Sequence, residues 1–250
     1  TIAGIPITNA TGVFYNCSKM ISAPEIPSTV ISLSKAFTNC SSLKMSPQIP
    51  NSVIDMSSTF SGCIQLAEAP DIPDGVANLS YTFADCTSIT QPPHIPSTVT
   101  NIRYAFSGCT KMLSMPNIPY GIVDMTSTFA NCHSLTDNSL SLIPNTVTIL
   151  KSTFNGCQSL VDISNFVIPT SVTNMDYVFY GCTLLKHVPD LSYLVNVRTM
   201  EGGFANCSSL EYAPKLPSNV SFLNSCFQNC TSLKDDGMPL IPMYTYNISN

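Results

Sequence analysis

The chain has 250 residues, 44% of them apolar and only 10% charged, with a formal net charge of −5 from 10 basic and 15 acidic side chains. That apolar share can build a substantial core, but the basic residues are scattered singly, so nothing tracks a phosphate backbone and nucleic acid is not an expected partner. No apolar run approaches the roughly 18 residues of a membrane span, and Thr1 to Ala10 has neither the basic start nor the apolar stretch of a secretion signal, so a piece of a longer chain is expected.

In chain order, the first landmark is Phe14-x-x-Cys17, and the same Phe-x-x-Cys recurs ten times, ending at Phe227/Cys230. The Cys spacing is 23 residues five times, then 25 three times, then 23. A fixed period decides the architecture before any local reading does. The opening copy, "TIAGIPITNATGVF", is two residues short between Pro6 and Phe14 and puts Ala10 where later copies have Leu or Met; it is expected to start the array. The copies "IPSTVISLSKAFTNCSSL" and "IPNSVIDMSSTFSGCIQL" then overlay without a gap. Their order is Ile-Pro, Val, Leu or Met, Phe, Cys, Leu and Pro.

Each slot has a physical reading. Val30, Val53 and their equivalents, with Leu33 and Met56 three positions on, are inward side chains. Two residues after each Phe comes Asn, Gly or Asp in every copy, among them Asn39, Gly62 and Asp85. These residues best tolerate positive φ, so a left-handed turn is predicted there. The Cys then points back inside. Proline before and within each Ile-Pro pair excludes a long helix between one Cys and the next Val. Each repeat is thus predicted to be a coil of 23–25 residues with short extended pieces and one tight helical turn. One such coil buries too little to offset the entropy of ordering it, so its interior must be completed by its neighbours. At about 4.8 Å per rung, ten coils give a solenoid carrying a parallel sheet, on the order of 50 Å long.

Three later copies are longer. The segments after Cys132 and Cys157 add two residues before Ile143-Pro144 and Ile168-Pro169, and "DLSYLVNV" after Cys182 adds two after Leu191. Such insertions are expected to bulge from one face. At the end, Thr245 and Ile248 fall in the Val and Leu/Met slots and the next Phe would be due at position 252, so the array is expected to continue past Asn250.

The pattern Val-x-x-Met-x-x-x-Phe-x-x-Cys-x-x-Leu, written over nearly the whole chain, resembles the BspA-like leucine-rich repeat surface proteins. The resemblance implies a single solenoid domain over residues 1–250, extracellular or cell-surface display, and attachment to host or neighbouring-cell proteins or glycans. It carries over no catalytic residues, because the family's Leu, Phe and Cys positions are structural. The chain departs from the family pattern in having Ile-Pro before most Val slots.

The eleven Cys raise disulfide and zinc readings. Stacked rungs would bring Cα atoms within bridging distance, yet parallel coils give parallel Cβ vectors, which favours an internal ladder of thiols. Zinc fits less well, since no Cys-x-x-Cys occurs. Cys226 falls in a slot that elsewhere holds small residues such as Ala36, Thr59 and Gly203. His94, His133 and His187 sit at three different repeat offsets and suggest no catalytic group, and no cofactor is implied. Asn-x-Ser/Thr sequons at Asn16, Asn39, Asn206 and Asn229 coincide with the left-handed turn; Asn9, Asn78, Asn219 and Asn247 begin others. Tyr81 and Tyr104 share one slot in successive repeats, with Arg103 beside the second and Tyr177 at the equivalent place later. Tyr and Arg are enriched at binding hot spots, and the same tyrosines could instead cover the outside of the turn.

The function expected is a non-enzymatic binding module with no metal, which meets protein or glycan partners through a broad, nearly uncharged face; the alternative is a structural spacer or a decoration of a virion or cell appendage. Oligomeric state is left open.

Overall fold

The computed structural model describes residues 6–234. Thr245 and Ile248, the residues on which a continuing array was argued, lie outside them.

Ten coils stack so that equivalent letters of successive repeats lie over one another. The Phe slot shows this most directly. From Phe14 to Phe227 the rings form one unbroken column, with centroids 5.3–6.0 Å apart and planes within 17° of parallel. This is offset stacking in its favourable range. Val30, Leu33, Phe37, Cys40 and Leu43 of one coil, and their counterparts in the coils that follow as far as Leu210, are buried in a single continuous core. The Ile of each Ile-Pro pair closes that core from the far side, with Ile26, Ile49, Ile72 and Ile95 all buried.

Strand pairing is reduced to its minimum. Parallel bridges link single residues, Asn9 to Ser32, Ser32 to Asp55, Asp55 to Asn78 and Asn78 to Asn101, and resume from Asp124 through Ile149, Asn174 and Thr199 to Phe222. The expected helical turn is an overlapping series of tight turns rather than a helix. Ala36, Thr38 and Cys40 donate their N–H to Leu33, Lys35 and Phe37, three residues back. The intervening amides turn outward along the array: Leu33, Lys35, Phe37 and Asn39 donate to the carbonyls of Asp55, Ser57, Thr59 and Ser61 in the next coil at 2.7–2.9 Å. The same four-bond set recurs between Met56–Gly62 and the following coil.

This zigzag needs two left-handed residues per coil, one more than the sequence pattern revealed. The second is the Asn/Gly/Asp slot, at φ 60° for Asn39, 75° for Gly62 and 59° for Asp85. The first lies four residues earlier, where Lys35, Ser58, Tyr81, Tyr104, Ser127, Ser152 and Tyr177 all have φ of 52–57°. Its residue types are mixed, so no composition signal marked it.

Within the second column the choice between Asn/Asp and Gly follows from stacking. Asn39 reaches back to hydrogen-bond Asn16, and Asn229 does the same to Asn206, at 2.9 and 2.8 Å. On their other side, Asn39, Asp85 and Asn131 lean over Gly62, Gly108 and Gly156, where a Cβ would collide with their carboxyl or amide oxygens.

The longer coils do not simply bulge. In the first, a 3₁₀ turn at Asp137–Ser139 aims the Asp137 carboxylate at the N–H groups of Val161 and Asp162 in the next coil, at 2.7 and 3.0 Å. In the second, Ile163 enters the core and Phe166 packs edge-on against Phe154, at 5.8 Å. In the third, Leu191 and Leu194 are buried while the Tyr193 hydroxyl donates to the Ile168 carbonyl at 3.0 Å and accepts its N–H at 3.2 Å. Leu142, Val167 and Val195 do project, as expected of a bulge.

Replacing Phe106 by Ala in mid-column should cost about 3–5 kcal/mol in denaturant unfolding. Gly108→Ala should cost roughly 1–3 kcal/mol from its φ of 77° and its overlap with Asp85. Adding Asp85→Gly should restore part of that loss, since Gly156 followed by Gly181 already shows two successive glycines in this column. An equal loss in the double variant would show that the overlap contributes nothing.

Candidate functional site

The thiol ladder was the first chemical candidate. All eleven Cys, every one within the described residues, are free thiols. From Cys40 onward each ladder Sγ sits 3.1–3.2 Å from the carbonyl oxygen of the Phe in the preceding coil. The thiol therefore donates to a carbonyl that also accepts the Cys N–H of its own coil, as Phe37 O does from Cys40. This is why the slot takes Cys: the residue is small and apolar enough for the core, yet satisfies the second lone pair of a buried acceptor. Thr59 and Thr82 do the same one position before Phe, donating to the Met56 carbonyl at 2.7 and 2.8 Å.

Burial, the leading cause throughout, pushes the thiols up, to about 12 for Cys63, Cys109 and Cys226 and about 11 for Cys230. Cys86, Cys132, Cys157 and Cys182 are raised well above the ordinary value of 9.0. Protonated, buried thiols are poor nucleophiles. Among the described residues no group of three or more His, Cys, Asp or Glu is placed to hold a metal. His94 and His187 are exposed on different coils and His133 is half-buried. The sequon amides of Asn39, Asn229 and Asn219 donate to Asn16, Asn206 and Val195, and Asn247 lies outside the described residues.

The tyrosine slot is more eventful. Tyr81 and Tyr104 stack with centroids 4.4 Å apart and planes 4° from parallel, closer than any pair in the Phe column. Both stand on left-handed backbone, φ 57°, which a bulky residue adopts only at a cost of roughly 1–3 kcal/mol. Their amides are pinned to the next coil through Arg103 O and Thr126 O, at 2.9 and 3.0 Å. Tyr81 is 44% exposed, Tyr104 half-buried and Arg103 exposed. Partial burial and then the adjacent Tyr104 push the Tyr81 phenol up, with Arg103 pulling it the other way.

Arg103 meets the Asp124 carboxylate through Nε at 3.5 Å. It crosses the step between Asn101 and Asp124 at which, among the described residues, the column of bridges is interrupted. Tyr177 is not part of this group. It lies three coils further, about 15 Å away at ~4.8 Å per rung, where its ring covers Gly202 so closely that a Cβ there would be 2.5 Å from Cε1, and it meets Tyr180 edge-on at 6.0 Å.

The sequence analysis did not connect Asn78 and Asn101 with the pair. Asn78 and Asn101 accept the N–H of Ser80 and Arg103 on their Oδ1 atoms, at 3.0 and 3.2 Å. Those bonds close an Asx turn at the start of each zigzag and fix which end of the amide is oxygen. Among the described residues, the –NH2 ends have no hydrogen-bond partner. A column of Asn, Asp and Ser two residues before a turn was the available signal.

The pattern of BspA-type leucine-rich repeat regions matches residues 10–135, 79–189 and 125–234, which together span most of the chain. Among solved structures, a leucine-rich repeat protein from Bacteroides ovatus is 24% identical, with a TM-score of 0.61 over 91% of this chain and 69% of that one. A Treponema pallidum leucine-rich repeat protein is 22% identical with a TM-score of 0.43, over 87% of this chain and 79% of its own. No curated protein matches.

Alkylation of the native 250-residue chain at pH 8 should modify the exposed Cys17 and spare the ten buried thiols, with all eleven reacting in denaturant; mass spectrometry reads the count. Because the folded thiols titrate above their unfolded value of 9.0, the stability they contribute is complete below about pH 9 and lost as pH rises toward 12. Denaturation midpoints should accordingly be level in thiol terms up to about pH 8 and decline above pH 9.

Proposed function

The chain belongs to the BspA-type leucine-rich repeat family, and from that premise we propose that it is a non-enzymatic, surface-displayed binding module that meets protein or glycan partners through an extended face of the solenoid. The observation that carries this is the outward repetition of short hydrogen-bonding side chains on a rigid scaffold. Among the described residues the interior is filled mainly by apolar side chains with Cys and Thr, while Ser, Thr and Asn recur at fixed spacing outside. Solenoids of this kind offer broad surfaces rather than enclosed pockets. A depression of about 600 Å³ is an open groove between the loops of 46–51 and 70–74, and its lining contains no His, Cys or Lys. The low charge suits a partner recognised by shape and neutral hydrogen bonds.

The second reading, a spacer or a decoration on a virion or cell appendage, draws on the regularity of the coils alone. Two costly left-handed tyrosines on an exposed face favour the binding reading.

Screening the purified 250-residue chain against protein and glycan arrays should return at least one saturable ligand. No saturable ligand on either array, from chain shown to be folded, would leave the spacer.

A further inference from the structure

Resting on that reading, and on a protein as the partner, we propose that the step between the third and fourth coils at Gly75 seats a lysine side chain of an extended protein segment. In the slot just before Val, Thr29, Ser52, Thr98, Thr146 and Ser171 each donate a hydroxyl to the Val-slot carbonyl of the preceding coil, at 2.6–2.8 Å. Glycine fills that slot at 75 and 121, so no hydroxyl reaches Val53 O or Val99 O. Neither carbonyl accepts a hydrogen bond from any described residue. Turn geometry does not call for these glycines, since neither is among the residues of positive φ. What Gly75 does is leave acceptors open.

Two of them converge there. A Cβ on Gly75 would stand 3.3 Å from Asn51 O and 3.5 Å from Val53 O, and the glycine is exposed. Asn51 and Asp74 also belong to the wall of the 600 Å³ groove, together with Asp71. Two smaller depressions share Ser46, Gln48 and Asn51 with that groove and bring in Glu25 and Glu68. None of these four carboxylates is in an ion pair. Lys44, which lines the depression of Glu68, is the one cation among the residues around the three. The gap at Gly121 differs: it opens on Val99 O and Ser97 O, and the nearby Asp124 already meets Arg103.

Backbone oxygens and a carboxylate without donors call for a donor that carries positive charge. A lysine ammonium is compact and has three donors, so it can meet two carbonyls and a carboxylate from different directions, where a planar guanidinium fork suits a single flat acceptor edge. The rest of the groove fits an extended chain better than a free amine. Its volume exceeds that of one ammonium many times over, and the N–H groups of Gln48, Ile49, Asp71 and Ile72 donate to no described residue. A strand-like partner can pair its backbone with such groups while one side chain enters the gap.

The test is calorimetry on the 250-residue chain with the end-blocked peptide Ala-Lys-Ala-Lys-Ala, whose two lysines project on one side of an extended backbone. The same peptide with both lysines acetylated, and spermidine, are the controls. We expect saturable binding of the lysine peptide and at least tenfold weaker binding of the acetylated one. Gly75→Ser, whose hydroxyl should close onto Val53 O as that of Ser52 does onto Val30 O, should weaken the peptide at least tenfold while melting no lower than the parent. Gly121→Ser should bind as the parent does. Should Gly75→Ser fail to fold, Asp74→Asn, with the same expected loss, carries the test. No saturable binding of the lysine peptide, undiminished binding by folded Gly75→Ser, or displacement of the peptide by an equal concentration of spermidine, the mark of a merely acidic surface, would overturn the proposal. A protein ligand found on the array whose binding Gly75→Ser leaves unchanged would sink this seat and leave the binding module standing; no ligand of any kind would sink both.

Discussion

The constraint on which the molecule depends is that each coil must hand its free amides to the next. With strands reduced to single bridged residues, ordinary sheet pairing cannot satisfy the backbone. The four-bond set from Leu33, Lys35, Phe37 and Asn39 to the following coil does so instead, and it forms only if the chain visits the left-handed region twice per coil. Other features follow from that geometry. It holds the Phe rings within stacking distance, faces each Cys thiol to the carbonyl behind it, and brings the side chain of one left-handed residue onto the backbone of the next.

The core is accordingly more than a column of apolar groups. Buried carbonyls keep a second lone pair even after their turn hydrogen bond is made, and an unsatisfied acceptor in a dry interior is costly. Cys and Thr supply the missing donors at little expense in volume. The raised thiols follow from the same arrangement, because the position that lets Sγ–H reach a carbonyl also removes it from water.

Much of this was legible in the sequence. The period, the inward Val, Leu/Met, Phe and Leu slots and the Asn/Gly/Asp turn are all constrained by what fits one place, so the letters repeat. The first left-handed column was hidden because Lys35, Ser58, Tyr81 and Gly202 share a backbone angle and nothing else. The long coils misled for a different reason. An insertion counted in residues says nothing of whether its apolar members turn inward, and Ile163, Leu191 and Leu194 do. At the tyrosine slot the sequence placed Tyr81 beside Tyr104 through their shared position, and set Tyr177 in the same column. It could not separate a ring stacked on its neighbour from one laid over a glycine, because that depends on the residue one coil away. Asn78 and Asn101 were likewise invisible as a frame, since their oxygens are committed only once the turn has closed.

Within the zigzag, N–H groups point toward the later coil and carbonyls toward the earlier, as from Phe37 to Thr59; just before it the direction reverses, with Ile54 donating back to Ile31 and Ala77 back to Ile54. Each joint between coils is therefore two opposed rows of hydrogen bonds, each row with its own fixed direction. A tandem duplication of one whole coil leaves every donor opposite an acceptor, so length can change without renegotiating the joint. An inverted segment would break the register of both rows, so this backbone lengthens most simply by copying whole coils in the same direction.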